Sequence, residues 1–184
     1  MEALSDNSLM LKVKAGEVHR LALLYERYNR DLFGYFYRLT GNAATSEDMV
    51  QNVFYRIIKY SHTYRGEGDF IYWMYRIARN VWADSFRRKN PLEKTKELAA
   101  IENWANEERD PHQSLEASEG VSLLRKAMAR LAPEKQEAII LSRFQGLKYK
   151  EIAKITESTE NTIKSRIHRG LIELKEIMTQ LEMG

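Results

Sequence analysis

Two stretches of this sequence set basic side chains among hydroxyls or aromatics at helical spacing. Such chemistry suits a polyanion better than bond breaking. The first is Asn161–Gly170, NTIKSRIHRG. At about 100° per residue, Ile163, Ile167, Leu171, Leu174 and Met178 form one apolar stripe. Opposite it, the first turns carry Thr162, Ser165, Arg166 and Arg169, flanked by Lys164 and His168, whereas the later turns carry Glu173 and Glu176. A recognition helix divides in this way, because only its N-terminal turns enter the major groove. There Arg can grip guanine with both nitrogens, and Ser or Thr can bond a base or a phosphate. A solvated face with scattered charges contains the same residue types. The charge polarity, and the short helix and turn predicted just before it, favour DNA.

The second stretch is Phe70–Arg88, FIYWMYRIARNVWADSFRR. Phe70, Met74, Ile77 and Val81 share a core stripe, with Tyr75, Arg79, Trp82 and Phe86 roughly opposite. Trp73, Arg76, Asn80, Asp84 and Arg87 run along one flank. A helix with aromatics on two sides is either packed on both or stacks something on one. Rings interleaved with Arg suit single-stranded nucleic acid, where rings stack bases and guanidiniums follow phosphates. Trp82 and Phe86 read as core; spacing alone leaves Trp73, Arg76 and Asn80 open between the two roles. Upstream, Tyr64-Arg65-Gly66-Glu67-Gly68-Asp69 is a loop whose glycines allow close backbone approach, although a plain inter-helix connection needs no more. It lacks the Lys-Ser/Thr of a phosphate-binding P-loop. A third helix, 44–61, turns Val50, Val53, Phe54 and Ile57 inward and Asp48, Gln51, Asn52, Tyr55 and Lys59 outward. That polar strip with one aromatic resembles a protein-binding face more than a phosphate-binding one, but on physics alone a solvated face is the better account.

Catalytic constellations are not visible. Cysteine is absent, which excludes disulfides, thiolate catalysis and Cys-based zinc sites. His19, His62, His112 and His168 have no ligand spacing, and Glu47-Asp48 heads a helix where the macrodipole explains it. No enzyme activity, cofactor or metal site is expected. No apolar run approaches the ~20 residues of a membrane span, and the first eight residues do not resemble a secretory signal. A cytoplasmic protein without membrane insertion is the expectation.

These side chains need positioning elements. With 3 prolines and 9 glycines in 184 residues, and apolar residues recurring at i, i+3, i+4 and i+7, the chain reads as all-α. Helices are predicted over 8–15, 17–39, 44–61 and 70–88, then over 121–130, 133–144, 149–156 and 160–182. The last two form a helix-turn-helix, with Thr159 as N-cap. The net charge of +3 conceals a pattern. Residues 1–90 carry 14 basic and 10 acidic side chains, 91–119 carry 3 and 8, and 120–184 carry 12 and 8. Two small basic helical domains, 1–90 and 120–184, joined by an acidic flexible linker, 91–119, describe the chain economically. The sequence leaves open whether the two blocks touch.

Four segments in order, SEDMVQNVF at 46–54, the 70–88 helix, LAPEKQEAIILSRFQGLKYKEIA at 131–153 and NTIKSRIHRG, resemble the extracytoplasmic-function (ECF) group of bacterial sigma factors over nearly the whole chain. The resemblance implies a subunit that binds core RNA polymerase, recognises promoter DNA and promotes strand opening. Block 1–90 would be sigma region 2. In it Asp48, Gln51, Asn52 and Tyr55 would dock on the clamp helices of the largest subunit. Loop 64–69, including Arg65, would hold a flipped base of the minus-ten element, with Trp73, Arg76, Asn80, Arg87 and Arg88 along the unpaired strand. Block 120–184 would be region 4, near the flap of the second-largest subunit. There Thr162, Lys164, Ser165, Arg166, His168 and Arg169 would read the minus-thirty-five duplex. An anti-sigma factor is the further partner implied. A stand-alone helix-turn-helix regulator is the runner-up, but it usually dimerises on paired half-sites, and no heptad for that is visible. The chain departs from the family pattern at Asn52, where Glu is frequent, at Asn161 and Glu157, where Gly is usual, and at Lys148, where Ser or Thr often caps a helix.

Overall fold

The computed structural model describes residues 4–88 and 119–183, and among them there is no strand. The expected acidic linker, apart from Glu119, and the side chains of Phe86, Arg87 and Arg88 lie outside the described residues. The helices are α1 (Asp6–Lys14), α2 (Leu21–Thr40), α3 (Ala43–Lys59), α4 (Phe70–Arg88), α5 (Glu119–Ala129), α6 (Pro133–Ile139), α7 (Tyr149–Thr156) and α8 (Glu160–Met183).

Local chemistry sets most boundaries. Ser5 caps α1, its Oγ accepting from Ser8 N–H at 3.2 Å, and Asn42 caps α3 by accepting from Thr45 N–H at 2.8 Å. Gly41 ends α2 in the left-handed region, and Pro133 opens α6. Two boundaries differ from expectation by more than two residues. The helix predicted over 17–39 starts instead with a 3-10 turn, Val18–Arg20, and becomes α-helical at Leu21. The helix predicted over 133–144 is α-helical only to Ile139 and then widens into a π-turn over Ile140–Phe144. That widening carries Phe144 and Gln145 to α2, where the Arg38 guanidinium lies 4.4 Å from the Phe144 ring centre and Gln145 Nε2 donates to the Asp31 carbonyl at 3.3 Å.

The two blocks do touch. Leu9, Leu24, Leu32, Phe36, Val53, Ile57, Phe70 and Met74 fill the first, and Ile140, Leu141, Ile152, Ile155, Ile163 and Ile167 fill the second. Tyr35 and Tyr75, fully buried and 5.5 Å apart edge to face, join them into one cluster. Each such side chain contributes about 1.5–3 kcal/mol when fully buried. α4 is therefore packed on both sides: Met74, Ile77 and Val81 are buried on its own block, while Tyr72, Tyr75 and Arg79 reach the C-terminal one.

Candidate nucleic-acid interface

α7 and α8 make the expected helix-turn-helix. Its turn depends on Glu157, which takes the left-handed conformation at φ 53°, the position where the family resemblance implies glycine. Thr159 Oγ1 then accepts from Thr162 N–H at 3.1 Å and caps α8. Ile163, Ile167 and Leu174 are buried, and Leu171 and Met178 pack beside them, as the stripe predicts. Gly170 allows close approach of α6: a Cβ there would stand 2.9 Å from Ile139 Cδ1 and 3.2 Å from Lys135 Cβ. Facing outward, Lys164, His168 and Arg169 are exposed, and Ser165 and Arg166 are half-buried. Thr162 is half-buried, its hydroxyl bonded to that of Thr159 at 2.9 Å. Downstream, Glu173 pairs with Lys135 of α6, so one of the later acidic residues is structural.

The other candidate surface is a cleft of about 630 Å³ lined by loop 63–69 with Tyr72, Trp73, Arg76 and Lys154. Gly66 at φ +72° and Gly68 at φ +77° shape the loop. The Trp73 ring is half-buried, 5.1 Å from Tyr64 and 6.2 Å from Phe70, with Tyr64 edge-on. Arg65 is exposed at the rim. Asn80 is exposed on α4 but does not line the cleft.

Arg76 lies in the cleft but reaches the other block, donating from Nε and Nη2 to the Lys154 carbonyl at 3.2 and 2.9 Å. It thereby satisfies a carbonyl in the last turn of α7, where cations are favoured. Arg79, which the sequence placed opposite the core stripe, donates to Glu137 at 2.7 Å and to the Ile155 carbonyl at 3.3 Å. Burial works against its charge, yet the Glu137 carboxylate outweighs this and raises its pKa. Tyr35 donates to the same Glu137 oxygen at 2.9 Å, and burial beside that carboxylate holds its hydroxyl well above the ordinary tyrosine range. Tyr75 donates to Gln145 at 2.9 Å, and Tyr72 to Glu151 at 3.2 Å. Burial, with Asp69 and Glu151 beside it, pushes Tyr72 up to about 12.

Family models match both blocks. The sigma-70 region 2 model matches residues 24–91 and the sigma-70 region 4 model matches residues 122–174. The chain is 32% identical over 180 residues, 95% of its length and 67% of the relative's, to the ECF RNA polymerase sigma factor BldN of Streptomyces coelicolor. This chain belongs to the ECF sigma factors. It is also 29% identical over 158 residues, covering 85% of itself and 91% of the relative, to the RNA polymerase sigma factor YlaC of Bacillus subtilis. Its fold matches that of CnrH solved with the cytosolic domain of CnrY, at TM-score 0.71 and 18% identity over 95% of this chain and 97% of that one. The sigma factor RpoE solved with the anti-sigma factor NepR, from Bartonella quintana, gives 0.66 and 22% over 86% and 96%.

In this sigma factor the α3 strip is largely as read. Asp48, Gln51 and Tyr55 are exposed. Gln51 also lines a groove of about 400 Å³ between α2 and α3, with Tyr25, Arg30, Phe33, Glu47 and Val50. Asn52 differs. It is half-buried, accepts from Arg56 Nε at 3.0 Å, and Arg56 in turn pairs with Asp84 of α4 at 2.8 Å. It thus ties α3 to α4 inside the block. Sequence reasoning missed Tyr72 and Lys154 in the cleft. It also missed Asn7, whose Oδ1 accepts from the Tyr64 hydroxyl at 2.9 Å and from Phe70 N–H at 2.8 Å, and whose Nδ2 donates to the Gly68 carbonyl at 2.8 Å.

Proposed function

We propose that this sigma factor docks on the clamp helices of core RNA polymerase through Asp48, Gln51 and Tyr55 and the α2/α3 groove beside them. The cleft under loop 64–69 then takes the unpaired minus-ten strand, with a base held against Trp73, Arg65 at the rim, and Arg76, Asn80, Arg87 and Arg88 on phosphates or neighbouring bases. In the second block, held near the flap, α8 reads the minus-thirty-five duplex through Arg169, Lys164, Ser165, His168, Arg166 and Thr162. The division into region 2 (1–90), linker (91–119) and region 4 (120–184) belongs to this reading. Its work is promoter selection and strand opening, which require binding energy rather than catalysis. The structure of RpoE with the anti-sigma factor NepR supports an anti-sigma partner here. Among the described residues no helix is long and apolar enough to cross a membrane, in keeping with action on cytoplasmic polymerase.

The observation that carries the reading is the pairing, on one chain, of an aromatic-basic cleft with a capped recognition helix whose basic residues cluster at its start. Pull-down with core polymerase followed by transcription from a promoter library tests it. The chain is expected to bind core and select a two-part promoter; failure to bind core overturns the assignment. Asp48→Arg is expected to weaken core binding about ten-fold or more, since a like-charge contact in an interface costs several kcal/mol, and to leave the free chain's duplex affinity unchanged.

A further inference from the structure

The region 2 match begins at residue 24, so α1 lies ahead of it. Nevertheless, α1 sets the shape of loop 64–69. One side of α1 buries Leu9, Met10 and Val13 in the core. Its other side presents Asn7, Leu11 and Lys14, at i, i+4 and i+7, to the loop. Lys14 Nζ donates to the Tyr64 carbonyl at 2.6 Å. The Leu11 methyls lie under Gly66, where an added Cβ would meet Leu11 Cδ2 at 3.5 Å. Asn7 holds the Tyr64 hydroxyl, the Gly68 carbonyl and the first amide of α4.

The Asn7 contacts fit that side chain closely. A carbonyl oxygen offers two acceptor sites, and both are filled; the amide nitrogen donates as well. Phe70 N–H is one of the four amides a helix start leaves without an intrahelical partner, so α4 is capped from a helix 63 residues upstream. A loop with two left-handed glycines has many alternatives in solution, and ordering it carries a large entropic cost. Attachments at Tyr64, Gly66, Gly68 and Phe70 select one shape. Discrimination between bases requires such fixed groups, because a binding site held about 1 Å too loosely no longer discriminates.

We propose that α1 is a positioning element for the strand-reading cleft, and that Asn7 is its central positioning residue, acting on the promoter strand through the loop rather than by touching it. The inference rests on the promoter reading above. It predicts that base discrimination at the minus-ten position depends on a helix outside the region 2 match.

The test uses holoenzyme made with the full chain. Its probes are partly open promoter templates whose non-template strand differs in one minus-ten base or carries 2-aminopurine there. Wild type is expected to prefer one base and to brighten 2-aminopurine as that base leaves the stack. Asn7→Ala should lower the preference about ten-fold and shift the fluorescence, with core affinity and helical circular dichroism unchanged. Lys14→Met, which keeps the apolar stem but loses the bond to Tyr64, should act in the same direction. Tyr64→Phe should reduce discrimination in wild type but add little in Asn7→Ala, because both remove the same bond. Folded Asn7→Ala and Lys14→Met proteins that read every template like wild type overturn the role of α1 alone, and so do strictly additive effects of Asn7→Ala and Tyr64→Phe. A wild-type holoenzyme with no base preference overturns the promoter reading, and this inference with it.

Discussion

Arg169 and Lys164 are both exposed basic residues in the first turns of α8, yet their expected contributions differ. A planar guanidinium can grip guanine O6 and N7 together, whereas an ammonium acts as a point charge on phosphate. Arg169→Ala is expected to cost about 1–3 kcal/mol on the preferred upstream duplex and to relax preference at one base pair. Lys164→Ala should weaken all duplexes alike and lower the salt slope by about 1. Fluorescence anisotropy on a set of duplexes across a salt series separates the two. At this scale, legibility follows sequence distance. The Thr159 cap involves neighbours, so a local rule found it, whereas the left-handed turn at Glu157 falls on a residue type that gives no local signal for it. The Asn7 contacts span 57 to 63 residues, and no local rule distinguishes Asn7 from any polar residue in a first helical turn.

Among the elements, the 3.6-residue period located every described helix, because each buries one stripe. It did not locate the π-turn at Ile140–Phe144, which carries Phe144 and Gln145 to α2 and leaves no periodic trace. Nor did it resolve the two sides of α4. Amphipathic analysis sees aromatics on both sides but cannot say whether the second meets DNA or protein; here Tyr75 and Arg79 meet the C-terminal block. The α6–α8 crossing was hidden for a similar reason, since Gly170 leaves no hydrophobic signature. Gly170→Ala would be relieved by a shift of the Ile139 side-chain end, but Gly170→Val pushes a branched side chain against Lys135 Cβ as well. Gly170→Val is expected to destabilise the C-terminal block by about 1–3 kcal/mol and to misplace the recognition helix. Urea unfolding and duplex affinity should fall together; unchanged stability would mean that α6 can retreat without cost.

For the whole molecule, the proposed strand binding in the cleft would compete with the docked arrangement for the same atoms. Arg76 gives two hydrogen bonds to the Lys154 carbonyl, and Lys154 itself lines the cleft. Glu137, 5% exposed in its side chain, holds the blocks together through Arg79 and Tyr35. Glu137→Ala should weaken docking by about 1–3 kcal/mol. That is less than the cost of breaking a fully buried pair, because Arg79 is 31% exposed and can turn to water. The expected readouts are a larger radius of gyration in X-ray scattering and tighter single-stranded DNA binding by the free chain, as Arg76 is released. A compact Glu137→Ala chain with unchanged strand affinity would show that the latch lies elsewhere. Alkaline titration tests the same interface without a substitution. Burial raises the Tyr35, Tyr75 and Tyr72 hydroxyls above their ordinary values, so docking favours the protonated forms. Their stabilisation is fully present below about pH 10, where exposed tyrosines titrate, and is lost as pH rises through the docked-state values. Scattering should therefore show the blocks separating above about pH 10, in step with tyrosinate absorbance. In Glu137→Ala, which removes the negative charge beside Tyr35, the Tyr35 hydroxyl should ionise at lower pH than in wild type, because a nearby carboxylate opposes a second negative charge. If the tyrosinate absorbance rises at the same pH in both proteins, the Glu137 carboxylate does not hold back Tyr35 ionisation, and the alkaline transition belongs to Tyr75 and Tyr72.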